Sequence, residues 1–224
     1  SLHCNPFAPL KSAMKNTLLA LFCFLIPFPS ADAAELLRVG VFDVDASPPI
    51  GSPLAYDPTD GVQSPLSCRG IVLLSDQLPI VLCAVDWIGI GNDGQREFKE
   101  ALAKAVDSVP SRVAVHALHQ HDAPRCDFTV DQVLAKYGIN SQFYDAPFGR
   151  DVIRRAAAAA SKAKAEAQPI THLGHGAGTV EKVASNRRVL GEDGKVKYIR
   201  WTATRHPKVR AAPVGTIDPQ LKLI

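Results

Sequence analysis

The stretch from Cys68 to His119 constrains the fold most. Two apolar segments, CRGIVLL and IVLCAV, flank a short turn containing Ser75, Asp76 and Pro79. Both are rich in β-branched residues and read as a hairpin, Cys68–Leu74 with Ile80–Val85. They are apolar almost throughout, which predicts burial on both faces. GNDGQREFKEALAKAV follows, with Phe98, Leu102 and Val106 recurring on one helical face and Asn92 or Asp93 as the cap. RVAVHALH then returns to strand. Together with its flanks, this order predicts an α/β layered domain whose mixed β-sheet is flanked by helices.

The flanking segments fit that domain. LLRVGVFDVD reads as a strand, Leu36 to Asp45, halted by Pro48 and Pro49. The following GSPLAYDPTDGVQSPL is a loop without periodicity, and a loop of that length more often covers a site than merely connects elements. DVIRRAAAAASKAKAEAQ predicts a second helix over 151–168, its alanine run a close-packing face. A glycine-interrupted strand spans 171–190, and a turn at Asp193-Gly194 leads to another strand. Asp218-Pro219 turns into a further strand that ends with the sequence, so the domain is expected to be truncated at its C-terminal side.

The N-terminal part reads as a targeting segment. The only methionine is Met14, followed by Lys15, an apolar run from Leu18 to Phe28, and Ala31-Asp32-Ala33. The run is too short to span a bilayer, and the small residues suit cleavage after Ala33. Residues 14–33 are therefore expected to be a signal peptide, 1–13 an upstream segment absent from the mature protein, and 34–224 the domain itself. The mature protein is expected to be secreted or periplasmic, with no transmembrane span after cleavage. A formal net charge of +3 over 224 residues, dispersed along the chain, argues against a nucleic-acid partner. Cys68, Cys83 and Cys126 allow at most one intramolecular disulfide, and no C-x-x-C pair exists for a cysteine-based zinc site. Cys83, in an apolar strand, reads as inert and buried.

Chemistry concentrates in AVHALHQHDAP, residues 114–124. If the strand persists that far, alternation puts His119 and His121 on one face and His116 on the other. Two imidazoles on one face at a strand end can share a metal, or one can ligate while the other handles substrate. Asp122 or Asp86 would orient a ring from behind; for Asp86, capping the next loop is the equal alternative. His116 is expected to be a hydrogen-bonded interlayer histidine, and His175 has no assigned place. In ASNRR, residues 184–188, Arg187 offers a guanidinium to a substrate oxygen, or is simply part of a basic turn. GHGAG lacks the lysine and spacing of a phosphate loop, and there is no G-x-S-x-G elbow.

Four of these pieces, in order, resemble the neutral (non-lysosomal) ceramidases. VGVFDVDASPPIGSPL is similar to their opening strand and Pro-Pro-x-Gly turn, and VLCAVDWIGI to their next β segment with its terminal Asp. ALHQHDAP resembles A-T-H-T-H-S-G-P, and ASNRR resembles their Asn-Arg-Ser-Pro segment. The resemblance, strongest to divergent bacterial ceramidase-like proteins, implies a zinc-dependent amidase acting on the N-acyl bond of ceramide. It implies that His119 ligates zinc, that His121 lies beside metal and substrate, and that Arg187 contacts substrate. The family's other ligands, a His, a Glu and a Tyr, would fall beyond Ile224. Asp122-Ala123 and Arg188-Val189 depart from the family's pattern on the substrate side and put ceramide itself in question.

The expected reaction is hydrolysis of an N-acyl amide, in a lipid or small molecule, by metal-activated water, with weak metal binding and no turnover from these residues alone. Two other readings stand beside it: a hydrolase of another amide or ester, and a non-catalytic binding module on the same scaffold.

Overall fold

A computed structural model describes residues 37–139 and 143–224. The expected signal segment, the residues before it, and Leu36 lie outside this range. In chain order the elements are β1 (Arg38–Asp45), β2 (Ser67–Leu74), β3 (Ile80–Val85), β4 (Gly89–Ile90), α1 (Asn92–Ala105), a 3-10 turn (Pro110–Arg112), β5 (Val113–Ala117) and β6 (Arg125–Cys126). They continue with α2 (Phe128–Lys136), α3 (Ala146–Ala165), β7 (Gln168–Pro169), β8 (Gly176–Thr179), β9 (Arg188–Leu190), β10 (Val196–Ile199), α4 (Pro207–Ala211) and β11 (Gln220–Leu223).

The main sheet has the order β5-β3-β2-β1-β7. The β2–β3 hairpin forms as expected, with Gly70 opposite Cys83. β5 joins β3 in parallel, because α1 carries the chain back across the sheet, and the other neighbours are antiparallel. The sheet is therefore mixed, as the sequence implied.

One face of this sheet meets the helices. Phe42, Val72, Val81, Cys83, Val85 and Val115 pack against Phe98, Leu102 and Val106 at α1 and against Val152, Ile153, Ala156 and Ala160 of α3. The alanines let α3 lie close. A Cβ added at Gly40 of β1 would overlap the carbonyl of Ala163, so helix and strand meet backbone to backbone there.

Several expectations are corrected. The strands β2 and β3 are not buried on both faces: their outward residues are only half-covered, and Val41 on β1 is 72% exposed. The two long helices, α1 and α3, pack on the same face of the sheet. For the same reason His116, outward on the edge strand β5, is exposed and is not an interlayer histidine. The cap of α1 is Gly91, with no side-chain cap, because Asn92 turns its amide to Asp127 at 2.6 Å. Helix α3 starts at Ala146 and not Asp151: Asp145 accepts from the Phe148 amide, and Pro147 suits a first turn. Helix α2 falls in a stretch read as loop; Asp127 caps it through the Val130 amide. The expected glycine-interrupted strand divides into β8 and β9, which belong to two separate ribbons, β8/β11 and β9/β10.

Candidate active site

Strand β5 ends at Ala117, before the histidine pair. The backbone nevertheless stays fastened to the segment after β3. Leu118 N donates to Val85 O at 3.0 Å, His119 N to Trp87 O at 3.0 Å, and Ile88 N to Pro124 O at 3.1 Å. His119 has φ +61, a left-handed conformation uncommon for a residue with a Cβ and often found at functional sites. The alternation expected of a strand therefore does not govern His119 and His121. The turn brings their rings together instead, with centroids 5.1 Å apart and planes at 84°.

Gln120 holds this turn from inside. Its Nε2 donates to the carbonyls of Asp86 at 3.0 Å and Asp122 at 3.1 Å, and its Oε1 accepts from Asp122 N at 2.8 Å. Asp86 is occupied elsewhere: its Oδ2 accepts from Ser67 N at 2.8 Å and Ser67 Oγ at 2.7 Å. Its carboxylate thus ties the start of β2 to the end of β3, and these bonds go neither to a histidine ring nor to the loop that follows.

The two histidines have different partners. His119 Nδ1 lies 2.7 Å from the Ile88 carbonyl. A carbonyl only accepts, so Nδ1 carries the proton of the neutral ring and Nε2 presents its lone pair. His121 Nδ1 lies 2.8 Å from Tyr56 Oη, with ring centroids 5.4 Å apart. Both histidines are exposed.

Tyr56 comes from the proline-rich loop. That loop folds on itself: Gly51 N donates to Thr59 O and Thr59 N to Ser52 O, both at 2.8 Å. Ser52 and Thr59 are buried, and Ser52 Oγ donates to Asp145 Oδ2. Arg125, just past the histidine turn, donates to Leu54 O at 3.2 Å and to Ala55 O at 2.9 Å. The loop expected to cover a site thus reaches the histidines through Tyr56. Sequence reasoning missed Tyr56, although it is the sole aromatic residue between Ala46 and Leu66. Gln120 and Arg125 carried no recognisable signal.

Arg187 lies on the chain leading into β9, exposed, with its guanidinium 5.8 Å from the Trp201 ring centroid. Asn186 braces this ribbon by donating to Thr216 O at 3.0 Å and accepting from Arg188 N at 2.8 Å. His175 is exposed before β8. The structure brings His119 and His121 together; Arg187 stacks with Trp201.

The donor chemistry of His119 suits zinc: one fixed Nε2 lone pair, with a carbonyl behind the ring. Among the described residues no group of three or more His, Cys, Asp or Glu side chains is placed to hold a metal ion. Cys68, Cys83 and Cys126 are free and buried in the core that the sheet and helices share. Burial, reinforced by Asp127 and Glu97, pushes the Cys126 thiol up to about 12. No described helix is long and apolar enough to cross a membrane.

No protein family model matches the sequence, and no curated protein matches it. Solved structures do. A ceramidase complexed with C2 superposes with TM-score 0.50 at 16% identity, over 68% of this chain and 25% of that one. The neutral ceramidase from Pseudomonas aeruginosa superposes with TM-score 0.51 at 17% identity, again over 68% of this chain and 25% of the other. The chain thus spans a quarter of the length of these structures, and what it shares with them is a ceramidase-like fold.

Proposed function

We propose that this chain carries part of the site of an exported zinc-dependent amidohydrolase that cleaves an N-acyl amide bond, in ceramide or a related N-acyl substrate. The observation that carries this reading is the His119 ring, fixed by Ile88 O with Nε2 free and His121 beside it. The ceramidase-like fold supports it.

His119 would hold the metal through Nε2. Bound zinc supplies a water of lowered pKa and a Lewis acid for the amide carbonyl. His121 would pass a proton or hold the oxyanion of the tetrahedral intermediate. Arg187 would grip a substrate oxygen. Asp122, exposed beside His121, gives the approach a polar side.

Competition for zinc against a chromophoric chelator tests the metal assignment. The chain is expected to take up zinc weakly and His119→Ala to lose that uptake; equal uptake by both proteins would overturn it. A non-catalytic binding module on the same scaffold is the second reading: the exposed, paired rings of His119 and His121 offer hydrogen bonds to a ligand without a metal. Binding of a fluorescent N-acyl lipid with no release of free acid by the zinc-loaded protein would favour the module.

A further inference from the structure

We infer that Tyr56 is a positioning residue of this site: its hydroxyl donates to His121 Nδ1 and fixes His121 in the tautomer opposite to that of His119. The inference deepens the hydrolase reading and rests on it for its catalytic meaning.

Geometry comes first. Tyr56 Oη and His121 Nδ1 are 2.8 Å apart, although 65 positions separate the residues in sequence. The rings meet edge to face at 68°, so the contact fixes ring orientation as well as one nitrogen. The contact is not left to a loose loop. Arg125 grips the Ala55 carbonyl, one residue before Tyr56, and Ser52 is tied to Asp145. Arg125 is also only four positions past His121. The loop and the histidine turn are thus joined twice, once by the Arg125 side chain on the loop's carbonyls and once by Tyr56 on His121.

Donor strength decides the direction of the bond. A phenol O–H is a better donor than an imidazole N–H, and a bare imidazole nitrogen is a better acceptor than a phenol oxygen. With Tyr56 donating, Nδ1 of His121 is bare and Nε2 carries the hydrogen. His119 is the reverse, because the Ile88 carbonyl takes its Nδ1 proton. The adjacent rings then present different faces to a ligand: His119 a lone pair, His121 an N–H. A lone pair suits a metal, and an N–H suits an oxyanion or a leaving group that needs a proton. Two identical tautomers would compete for one task. Opposite tautomers divide the work.

The test is a long-range ¹⁵N–¹H spectrum of histidine-labelled protein at alkaline pH, where imidazole is neutral. The expected pattern shows His119 protonated at Nδ1 and His121 at Nε2. Tyr56→Phe, an exposed change that leaves the core untouched, should return His121 towards the mixed pattern of free histidine and leave His119 unchanged. His121 protonated at Nδ1 in the unmodified protein, or an unaltered His121 pattern in Tyr56→Phe, would overturn the inference. Zinc added to the same sample separates the two claims. If His119 does not respond, the metal reading fails while the tautomer assignment stands. If His119 responds but His121 has the wrong tautomer, only the role of Tyr56 fails.

Discussion

Trp87 donates its indole Nε1–H to the carbonyl of Ala46 at 3.0 Å, and both residues are buried. Through this bond the core grips the point where β1 gives way to the proline-rich loop. The Trp87 ring packs against Phe98 and Phe148, with centroids 6.2 Å and 5.9 Å away. Its backbone carbonyl accepts from His119 N. One residue therefore joins the core, the loop and the histidine turn. Trp87→Phe keeps most of the apolar contact and leaves a buried carbonyl unpaired, so urea unfolding should show a loss of about 1–3 kcal/mol. A loss below ~0.5 kcal/mol would mean that the carbonyl finds another donor.

Asp145 serves two elements at once. Oδ1 caps α3 and Oδ2 takes the hydroxyl of Ser52. Ser52→Ala removes only the loop anchor and should cost about 1 kcal/mol. Asp145→Ala removes the cap as well and should cost about 2–3 kcal/mol in the same measurement. Equal losses for the two variants would show that the cap contributes nothing here.

Gly40 tests the seating of α3 on the sheet. Gly40→Ala forces its methyl into the Ala163 carbonyl and should cost more than ~3 kcal/mol or prevent folding. Gly61 faces open space, so Gly61→Ala should stay within about 0.5 kcal/mol. Thermal melts of the pair would settle the comparison, and a mild Gly40→Ala would mean that the helix can slide.

The buried thiols give stability a sign on the alkaline side. Cys83 is raised by its hydrogen bond with Cys68 and by burial; Cys126 is raised from 9.0 to about 12, chiefly by burial. The unfolded chain therefore loses these protons at lower pH than the native one. The stabilisation is complete below the ordinary thiol range and declines as pH climbs above 9.0, by at most roughly 1.4 kcal/mol per pH unit for each thiol. Melting temperatures measured from pH ~9 to ~11 should fall less steeply in Cys126→Ala than in the unmodified protein. Parallel slopes would remove Cys126 from this account.

What the sequence disclosed follows from range. The β2–β3 hairpin and α1 announce themselves within a few residues, by apolar runs, turn residues and a 3.6-residue repeat. Phe98, Leu102 and Val106 are fully buried, as their spacing implied. Helix α2 was hidden because FTVDQVLAK is short, and only Phe128 on it is buried. The histidine pair was visible as a pattern, but its geometry was not. The left-handed turn at His119 depends on backbone bonds to Trp87 and Val85, more than thirty positions away. Tyr56 is farther still from His121, and no local periodicity carries such a pairing.

The two ribbons have a consequence for how the molecule opens. Each is held by its own short pairing, and among the described residues none packs broadly on the five-stranded sheet. Every residue of β8 and β11 is exposed. Amide hydrogens in β1, β2 and β3 should therefore exchange with solvent only when the whole layered core unfolds, while those of β8 and β11 exchange through small local openings. The chain keeps two clocks, and a brief protease pulse would read the fast one, nicking the ribbons while the sheet and its helices stay whole.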